Sequence, residues 1–484
     1  MNKIIFFTRA PKIGEGKTRL RPFLSDEERF LLQKKLINNI FNKIKATNID
    51  FVIYFDGDAT DLDFLSGEKK PQLGEEIGER MRNAIFNELD TCNKVILVGA
   101  DLDNLKAEDL LSAFTMLDNN DVVISPTFDG GYGLVGMKEK LDIFSGIVYS
   151  TENVLKDTIL KTKSLGKTYY LLPEIRDIDT ILDLVRAEFD SDEIELLGAG
   201  EYNINFKFGG EVIRLNIASQ MNLGKKQIAY EFGALEELET SGVTPKPIKY
   251  FENGKYIQFP FMTMEFVEGR PLEYYKDFDI ASQMLAKIHS VDTNNSNLIF
   301  SNKPFLTMLK ECESMFSVYK SWGKKDVDTE KRIDSILSIV KKSGVDERVD
   351  NPSIINTELN NHNFIIGENS KIIDWEKPLI GEAEQDLAHF LVPTTTNWKT
   401  DVIFSKKDMM DFVAIYEKYR AVNYKKLNKY LRFNILRGMT WCSMAKVHYE
   451  KEGTFKHSET YKKINKFLSE EFYDVIKIFF MEEV

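Results

Sequence analysis

Residues 7–20, FTRAPKIGEGKTRL, continue the apolar run Ile4-Ile5-Phe6-Phe7 and set Gly14 and Gly16 among the basic residues Arg9, Lys12, Lys17 and Arg19. A short β-rich run that breaks into a glycine-containing loop ahead of a helical stretch is the opening unit of a parallel α/β sheet. Such a loop can lay backbone N–H groups and cations around phosphate oxygens, because glycine permits close approach and a helix start favours anions. It is not a Walker motif: Pro11 stands where the first glycine of G-x-x-x-x-G-K-[ST] is required. On spacing alone the same residues also suit a solvated turn.

Outward from this loop, β-rich runs at 3–7, 51–55, 94–98 and 121–125 alternate with helical spacing at 26–46 and 75–88, and Ser25 is placed to cap the first helix. Each run ends in polar or glycine-rich residues, where open α/β sheets collect their ligands. Asp101 follows such a run in VGADLDNL, and Asp177 and Asp179 lie in RDIDT. Acidic groups at two strand ends could hold Mg²⁺, which takes one or two carboxylates plus substrate phosphates. Each aspartate read singly is equally a cap or turn residue.

At 484 residues the chain is long enough for several domains, and 43% hydrophobic residues give each a core. Its net charge of −12, with no basic stretch spanning a helix face, argues against nucleic acid or an anionic membrane as partner. Cys92, Cys312 and Cys442 form neither a disulfide framework nor a zinc pattern, and there is no signal-like apolar leader. These features predict a cytoplasmic protein whose partners are small-molecule substrates and nucleotides; they leave its oligomeric state open. Turn-prone RAEFDSDEIE at 186–195 marks a boundary, giving domains at 1–190 and 194–484.

Within 1–188, FTRAPKIGEGKTRL, GADLDNL, PTFDGGYGLVG, FSGIVYST and RDIDTILDL resemble, in order and spacing, the GT-A-fold glycosyltransferase-like proteins. These are related to nucleotidyltransferases such as the phospholactate guanylyltransferases, which share a G-x-x-K-[ST]-R-L loop. The resemblance implies an α/β, Rossmann-like nucleotide-diphospho-sugar transferase fold. It implies that Lys17 and Arg19 contact phosphates and that Asp101 binds metal; the chemistry of the basic loop adds Arg9 and Gly14 to the nucleotide-binding set, and that of the strand ends adds Asp179 to the metal. Asp129, Gly130 and Gly131 would line the acceptor side. Asp103 stands where the family usually has proline, and it either adds a third carboxylate to the metal or faces solvent. The reaction stays open between nucleotidyl transfer from a triphosphate, whose base is unspecified, and sugar transfer from a nucleotide-sugar; the basic loop favours the triphosphate.

The later region reads as a small mixed lobe, with strands at 203–208 and 211–216 and a helix near 226–241, followed by a helical lobe from 277 onward. LGAGEYNINFKF places Gly198 and Gly200 before a hairpin, suited to covering phosphates, and Arg214 with Glu231 offers a bidentate-paired cation beside them. IINTELNNHNFIIGENSKIIDWE, 354–376, resembles the catalytic loop and metal-binding strand of the aminoglycoside phosphotransferase and choline kinase superfamily, a protein-kinase-like fold. By that resemblance Asn363 and Asp374 bind Mg²⁺ on ATP and Arg214 takes the place of the usual lysine. Glu265 to Val267 form the hinge beside adenine, and His362 touches substrate. Glu358 falls at the catalytic base in place of the usual aspartate, and Asn356 replaces a histidine. A shift of about 1 Å at such a base costs roughly 100-fold in rate.

Together the two resemblances predict a bifunctional, Mg²⁺-dependent enzyme that phosphorylates a small alcohol, amino alcohol or sugar with ATP and couples the product to a nucleotidyl group. The alternative joins a glycosyltransferase to a regulatory, kinase-like nucleotide-binding module. Tyr416, Tyr419, Tyr424, Tyr430, Phe433, Trp441 and Tyr449 read mainly as helix core, with part of the set able to box an ammonium group.

Overall fold

The apolar run after the N-terminus becomes β1 (Asn2–Arg9), and its alternate side chains serve opposite faces of one sheet. Ile4 and Phe6 share a core with Ile37, Ile40, Phe41 and Ile44 of α1 (Asp26–Ala46). Ile5 and Phe7 share the other with Met81, Ala84 and Ile85 of α2 (Ile77–Glu88). Burial on both faces is why this strand reads as a continuous apolar run. Ser25 caps α1: its hydroxyl accepts from the Glu28 N–H, and the Glu28 carboxylate accepts from the Ser25 N–H at 2.9 Å.

A computed structural model describes residues 1–452 and 458–481. The chain divides into two units, one comprising Met1–Gly198 and Glu252–Phe259, the other Ala199–Phe251 and Pro260–Val484. The first unit continues with β2 (Asp50–Asp56), β3 (Lys69–Pro71), β4 (Lys94–Gly99), β5 (Val122–Pro126), β6 (Tyr132–Met137) and β7 (Tyr169–Leu171). Its remaining helices are α3 (Ala107–Met116), α4 (Val154–Ser164) and α5 (Ile181–Phe189). The sheet order is β3-β2-β1-β4-β6-β5-β7. β1 pairs in parallel with both β2 and β4, so the strand order reverses beside β1, whereas β6 runs antiparallel to β4 and β5. The sheet is therefore mixed rather than built only of parallel units. β6 escapes the sequence reading because YGLVGM carries glycines at two of six positions, which weakens any strand signal.

The second unit opens with strands ordered β11-β12-β10-β9, where β9 is Asn203–Phe208, β10 Glu211–Asn216, β11 Pro247–Phe251 and β12 Phe261–Glu265; β8 (Glu195–Ala199) precedes them, and all but its last residue belongs to the first unit. α6 (Gln227–Leu238) follows β10. The rest is mainly helical, around a core that includes Phe305, Phe316, Phe390, Phe412 and Tyr430. Between the helices Phe278–His289 and Ala383–Leu391 lie small antiparallel pairings, Pro352–Ile355 with Leu379–Glu382 and Phe364–Ile366 with Lys371–Ile372. Cys92, Cys312 and Cys442 are free and buried. No helix among the described residues is long and apolar enough to cross a membrane.

Candidate active sites

In the first unit a cleft of about 490 Å³ opens at the carboxyl ends of β1 and β4, the point where the strand order reverses. Gly14, Gly16 and Lys17 have φ of 83°, 68° and 44°, in the left-handed region. At Gly16 it is this φ that favours glycine; a Cβ there would also lie 2.8 Å from the Gln33 Oε1, the movable end of a side chain. The loop is held from behind by buried Arg29, which donates to the Gly16 carbonyl at 2.6 Å. Its turn leaves the Lys17 ammonium 2.8 Å from Asp101 Oδ2 and 3.2 Å from Asp179 Oδ1, donating also to the Ile178 carbonyl at 2.6 Å. Burial would lower the pKa of Lys17, but the two carboxylates more than offset this and hold it above the ordinary lysine value.

Asp101 and Asp179 come from segments far apart in sequence that are zipped together. Leu102 bridges to Asp177, Ile178 N–H donates to the Asp101 carbonyl at 3.0 Å, and Asp103 N–H to the Arg176 carbonyl at 2.9 Å. Among the described residues no three His, Cys, Asp or Glu side chains are grouped to hold a metal by themselves. Two hard oxygen donors facing a phosphate-sized cleft nevertheless fit Mg²⁺, whose other ligands come from substrate and water.

Asp103 neither adds a third carboxylate to that pair nor faces solvent. It is 5% exposed and accepts from Arg176 NH1 at 2.8 Å and from the Tyr256 hydroxyl, so it fastens the two segments that carry Asp101 and Asp177. Arg19 is mostly exposed, with NH1 3.6 Å from Asp179. Arg9 turns toward Asp56, 3.2 Å away, and lines both the main cleft and a side cavity of about 370 Å³ bounded by Asp56, Asp58 and Asp61. Asp129 and Gly131 line the cleft; the Asp129 carboxylate accepts from the Gly131 N–H and the Thr127 hydroxyl. Gly14 and Gly130 shape its loops without lining it. A Cβ at Gly130 would lie 2.2 Å from the Glu152 carbonyl oxygen. Gln33, buried in the cleft wall with its Oε1 lacking a hydrogen-bond partner, was not legible in sequence because an isolated helical glutamine carries no motif.

Asp177 also lines the cleft, and burial, reinforced by the charges of Asp129 and Asp179, pushes its carboxyl from 3.8 up to about 7. The folded protein then retains a proton that the unfolded chain releases between these two values, so stability falls as pH rises through that window and stays lower above it. Asp177→Asn is expected to raise the melting temperature at pH 8, by on the order of 2 kcal/mol in stability after discounting for partial exposure, and to leave it unchanged near pH 4. Thermal melts at the two pH values test this; an equal shift at both would refute the assigned proton.

In the second unit Arg214, on β10, is buried at the centre of a carboxylate group. Its Nε donates to Glu231 Oε2 at 2.8 Å, and its NH2 reaches Glu376 Oε1 at 3.0 Å and Asp374 Oδ1 at 3.3 Å. The Arg214–Glu231 contact is single rather than bidentate, because the other Glu231 oxygen is taken by Asn216 and Gln227. Asn363 Nδ2 lies 3.5 Å from Asp374 Oδ2, so the expected metal ligands do converge. Glu376 joins them, held at about 7 by burial and by neighbouring Asp374. It stands inside the I-D-[WF]-E element, which is the signal that could have found it. Arg214, Glu231, Met262, Met264, Asp374 and Trp375 share one small cleft.

Gly200 N–H donates to the Asn203 carbonyl at 2.8 Å in the β8–β9 turn, whereas Gly198 lies within strand β8 and in the first unit. The Glu265 carboxylate accepts from the Lys246 N–H and Glu265 ends β12, with Val267 following it. Asn356 and Thr357 are fixed by the buried Asp386 carboxylate, which accepts both backbone N–H groups at 2.8 Å. The Asn356 amide links the Asp374 carbonyl to the Glu358 N–H, so the residue that replaces a histidine still ties its loop to the segment that carries Asp374.

Glu358 lines a cavity of about 510 Å³ with Glu201, Glu311, Trp398, Trp441 and Arg437. Burial would raise its pKa, but Arg437, Lys377 and the Gln220 amide outweigh this and bring it down to about 2. Arg437 NH2 and Gln220 Nε2 each donate to Glu358 Oε1 at 2.8 Å. His362 is exposed and does not line this cavity, whereas half-buried His389 does. Of the aromatic set, Trp441 reaches the cavity, joined there by Trp398 at 5.3 Å, while Tyr416, Tyr430 and Phe433 are core residues.

A cleft at a sheet switch point in the first unit and a buried arginine among carboxylates beside a glycine turn in the second belong to a transferase of two parts, one nucleotidyltransferase-like and one kinase-like. A family described as an uncharacterized protein conserved in bacteria, DUF2064, matches residues 41–151, and the phosphotransferase enzyme family, APH, matches 193–421. The 2-phospho-L-lactate guanylyltransferase of Methanocaldococcus jannaschii is 31% identical over 178 residues, 36% of this chain and 76% of that protein. Through its first unit the chain belongs to the 2-phospho-L-lactate guanylyltransferase family. Among solved structures, a choline/ethanolamine kinase family protein from Mesorhizobium loti is 15% identical (TM-score 0.41, covering 60% of this chain and 92% of that one). A choline kinase from Streptococcus pneumoniae is 18% identical (TM-score 0.40, 57% and 92%). The sheets of the two units and the family matches give the fold class as α/β, with a guanylyltransferase-like part followed by a phosphotransferase-family, kinase-like part.

Proposed function

We propose that the chain is a bifunctional enzyme that builds a nucleotide-activated compound in two steps, with residues 1–190 and 194–484 as its working domains. In the kinase-like part a substrate hydroxyl attacks the γ-phosphorus of ATP, ADP leaves, and the hydroxyl proton is released. In the first part a phosphate oxygen of that product attacks the α-phosphorus of a nucleoside triphosphate, and the bond to the β-phosphate breaks to release pyrophosphate. The observation that carries this reading is the Lys17 ammonium set against Asp101 and Asp179 in a cleft at the β1/β4 switch point. That is the cation-and-carboxylate set that a triphosphate with Mg²⁺ requires.

GTP is the first nucleotide to test. The matching relatives are guanylyltransferases, and Asp56, Asp58 and Asp61 in the side cavity offer acceptors for the N1–H and exocyclic amine of guanine. Lys17, Arg19 and Arg9 would hold its phosphates, and Asp129 and Gly131 would face the acceptor. In the second part Asn363 and Asp374, with Glu376, would hold Mg²⁺, which neutralises charge on the ATP phosphates when bound. Arg214 would position those carboxylates, and the Glu265–Val267 segment would flank adenine. Glu358 and Glu311 are paired with Arg437 and Lys377, which leaves Glu201 and two indoles in the acceptor cavity to favour an amino alcohol or amino sugar, whose ammonium suits a carboxylate and aromatic faces. At about 2, Glu358 is too acidic to take a proton efficiently at neutral pH, so it would orient the attacking hydroxyl.

That same property favours one alternative, a kinase-like part that binds nucleotide without transferring phosphate. The test supplies the full chain with ATP, one further triphosphate, Mg²⁺ and a panel of amino alcohols and sugars, and follows ADP, pyrophosphate and product by mass spectrometry. Equal yields of ADP and pyrophosphate with one amino-bearing acceptor are expected. Pyrophosphate release from a pre-phosphorylated acceptor, without ATP use on any free alcohol, would establish the alternative.

A further inference from the structure

Lys17 does more than wait for phosphate. Its ammonium is surrounded by oxygens of Asp101 at 2.8 Å, Asp179 at 3.2 Å and the Ile178 carbonyl at 2.6 Å, and only 4% of the side chain is exposed. A divalent cation bound by the same carboxylates sits about 2 Å from their oxygens. It would then lie against the ammonium, at a separation where two positive charges repel strongly. The two cations therefore compete for one position.

We infer that Lys17 is the resident counter-ion of the Asp101–Asp179 pair, and that a divalent cation enters only together with the triphosphate, whose oxygens draw the ammonium off. This rests on the reading of the cleft as a triphosphate site. Lys17 sits in the left-handed region beside Gly16, a backbone able to reorganise. Arg19, exposed and 3.6 Å from Asp179, remains outside to meet the incoming phosphates. In this arrangement Lys17 is a residue that sets the order of binding: it closes the metal position while the cleft is empty and becomes a phosphate ligand when it fills.

The test is Mn²⁺ binding to the full chain, followed by the electron paramagnetic resonance of free Mn²⁺, with Asp374→Asn present throughout to remove the second site. In the absence of nucleotide, Lys17→Met is expected to bind Mn²⁺ at least ~10-fold more tightly than the parent, and to lose most of the further tightening that a non-hydrolysable GTP analogue gives the parent. Lys17→Arg, which keeps the charge, is expected to bind as weakly as the parent. Unchanged or weaker Mn²⁺ binding by a folded Lys17→Met chain would overturn the inference. Should that variant fail to fold, the parent alone decides: Mn²⁺ and the analogue binding independently of one another would overturn it equally. Tighter Mn²⁺ binding in Lys17→Met with no triphosphate bound by any variant would instead refute the triphosphate reading and leave the counter-ion role standing.

Discussion

Replacing Asp374 with asparagine is expected to lower ATP-dependent phosphorylation by about 10³-fold, the scale of losing a group that stabilises charge on a transferring phosphoryl. Asparagine is the informative choice because Asp374 has φ 68°, a left-handed conformation that asparagine tolerates and alanine adopts only with strain. Asn356 donates to the Asp374 backbone carbonyl, a bond the substitution keeps. What changes is the carboxylate that faces Arg214 at 3.3 Å and Asn363 at 3.5 Å. The side chain is 46% exposed, so little folding stability is at stake. Triphosphate binding by the first unit is expected to stay within about twofold of the parent, the scatter typical of independent sites. The measurements are ADP release by a coupled assay and triphosphate binding by calorimetry, both on the full chain. Phosphorylation at more than a tenth of the parent rate would remove Asp374 from the metal position, and a parallel loss of triphosphate binding would refute independent sites.

What was legible in the sequence follows how local the signal is. The run Ile4 to Phe7, the Ser25 cap and the paired strands Asn203–Phe208 and Glu211–Asn216 are written in neighbouring residues, and the structure places them as read. Loop and strand-end chemistry singles out Lys17 and Asp101 as candidates, but nothing local shows that the lysine lies on the aspartate, since the contact joins positions distant in sequence. The same limit hid the partners of Glu358: Arg437, Lys377 and Gln220 come from three separate segments, and together they change it from a recognisable base position into a strongly acidic group. Asp103 shows the limit most directly. Its place where the resembling family usually has proline suggested a third carboxylate on the metal or open solvent, and only the distant Arg176 and Tyr256 give it a third role, buried and structural.

Asp101→Asn is expected to lower nucleotidyl transfer by about 10³-fold and to leave ATP-dependent phosphorylation unchanged, since one of the two carboxylates offered to the metal is lost. The strand end should hold its place, because the Asp101 backbone carbonyl accepts from the Ile178 N–H at 3.0 Å and the side chain is 46% exposed. Asp103→Asn supplies the contrast two residues away. There the substitution removes one of two carboxylates that hydrogen-bond buried Arg176, 2.8 Å away, and the cost falls on folding, roughly 1–3 kcal/mol because Asp192 still holds the same guanidinium. The two variants therefore separate in opposite directions: Asp101→Asn keeps the parent melting temperature and loses pyrophosphate release, while Asp103→Asn melts earlier and, below its transition, still binds Mn²⁺ with triphosphate. Pyrophosphate assays and thermal melts on both variants read this out. An Asp101→Asn chain that releases pyrophosphate at the parent rate would mean that Asp179 suffices for the metal, and that Asp101 serves only to hold Lys17.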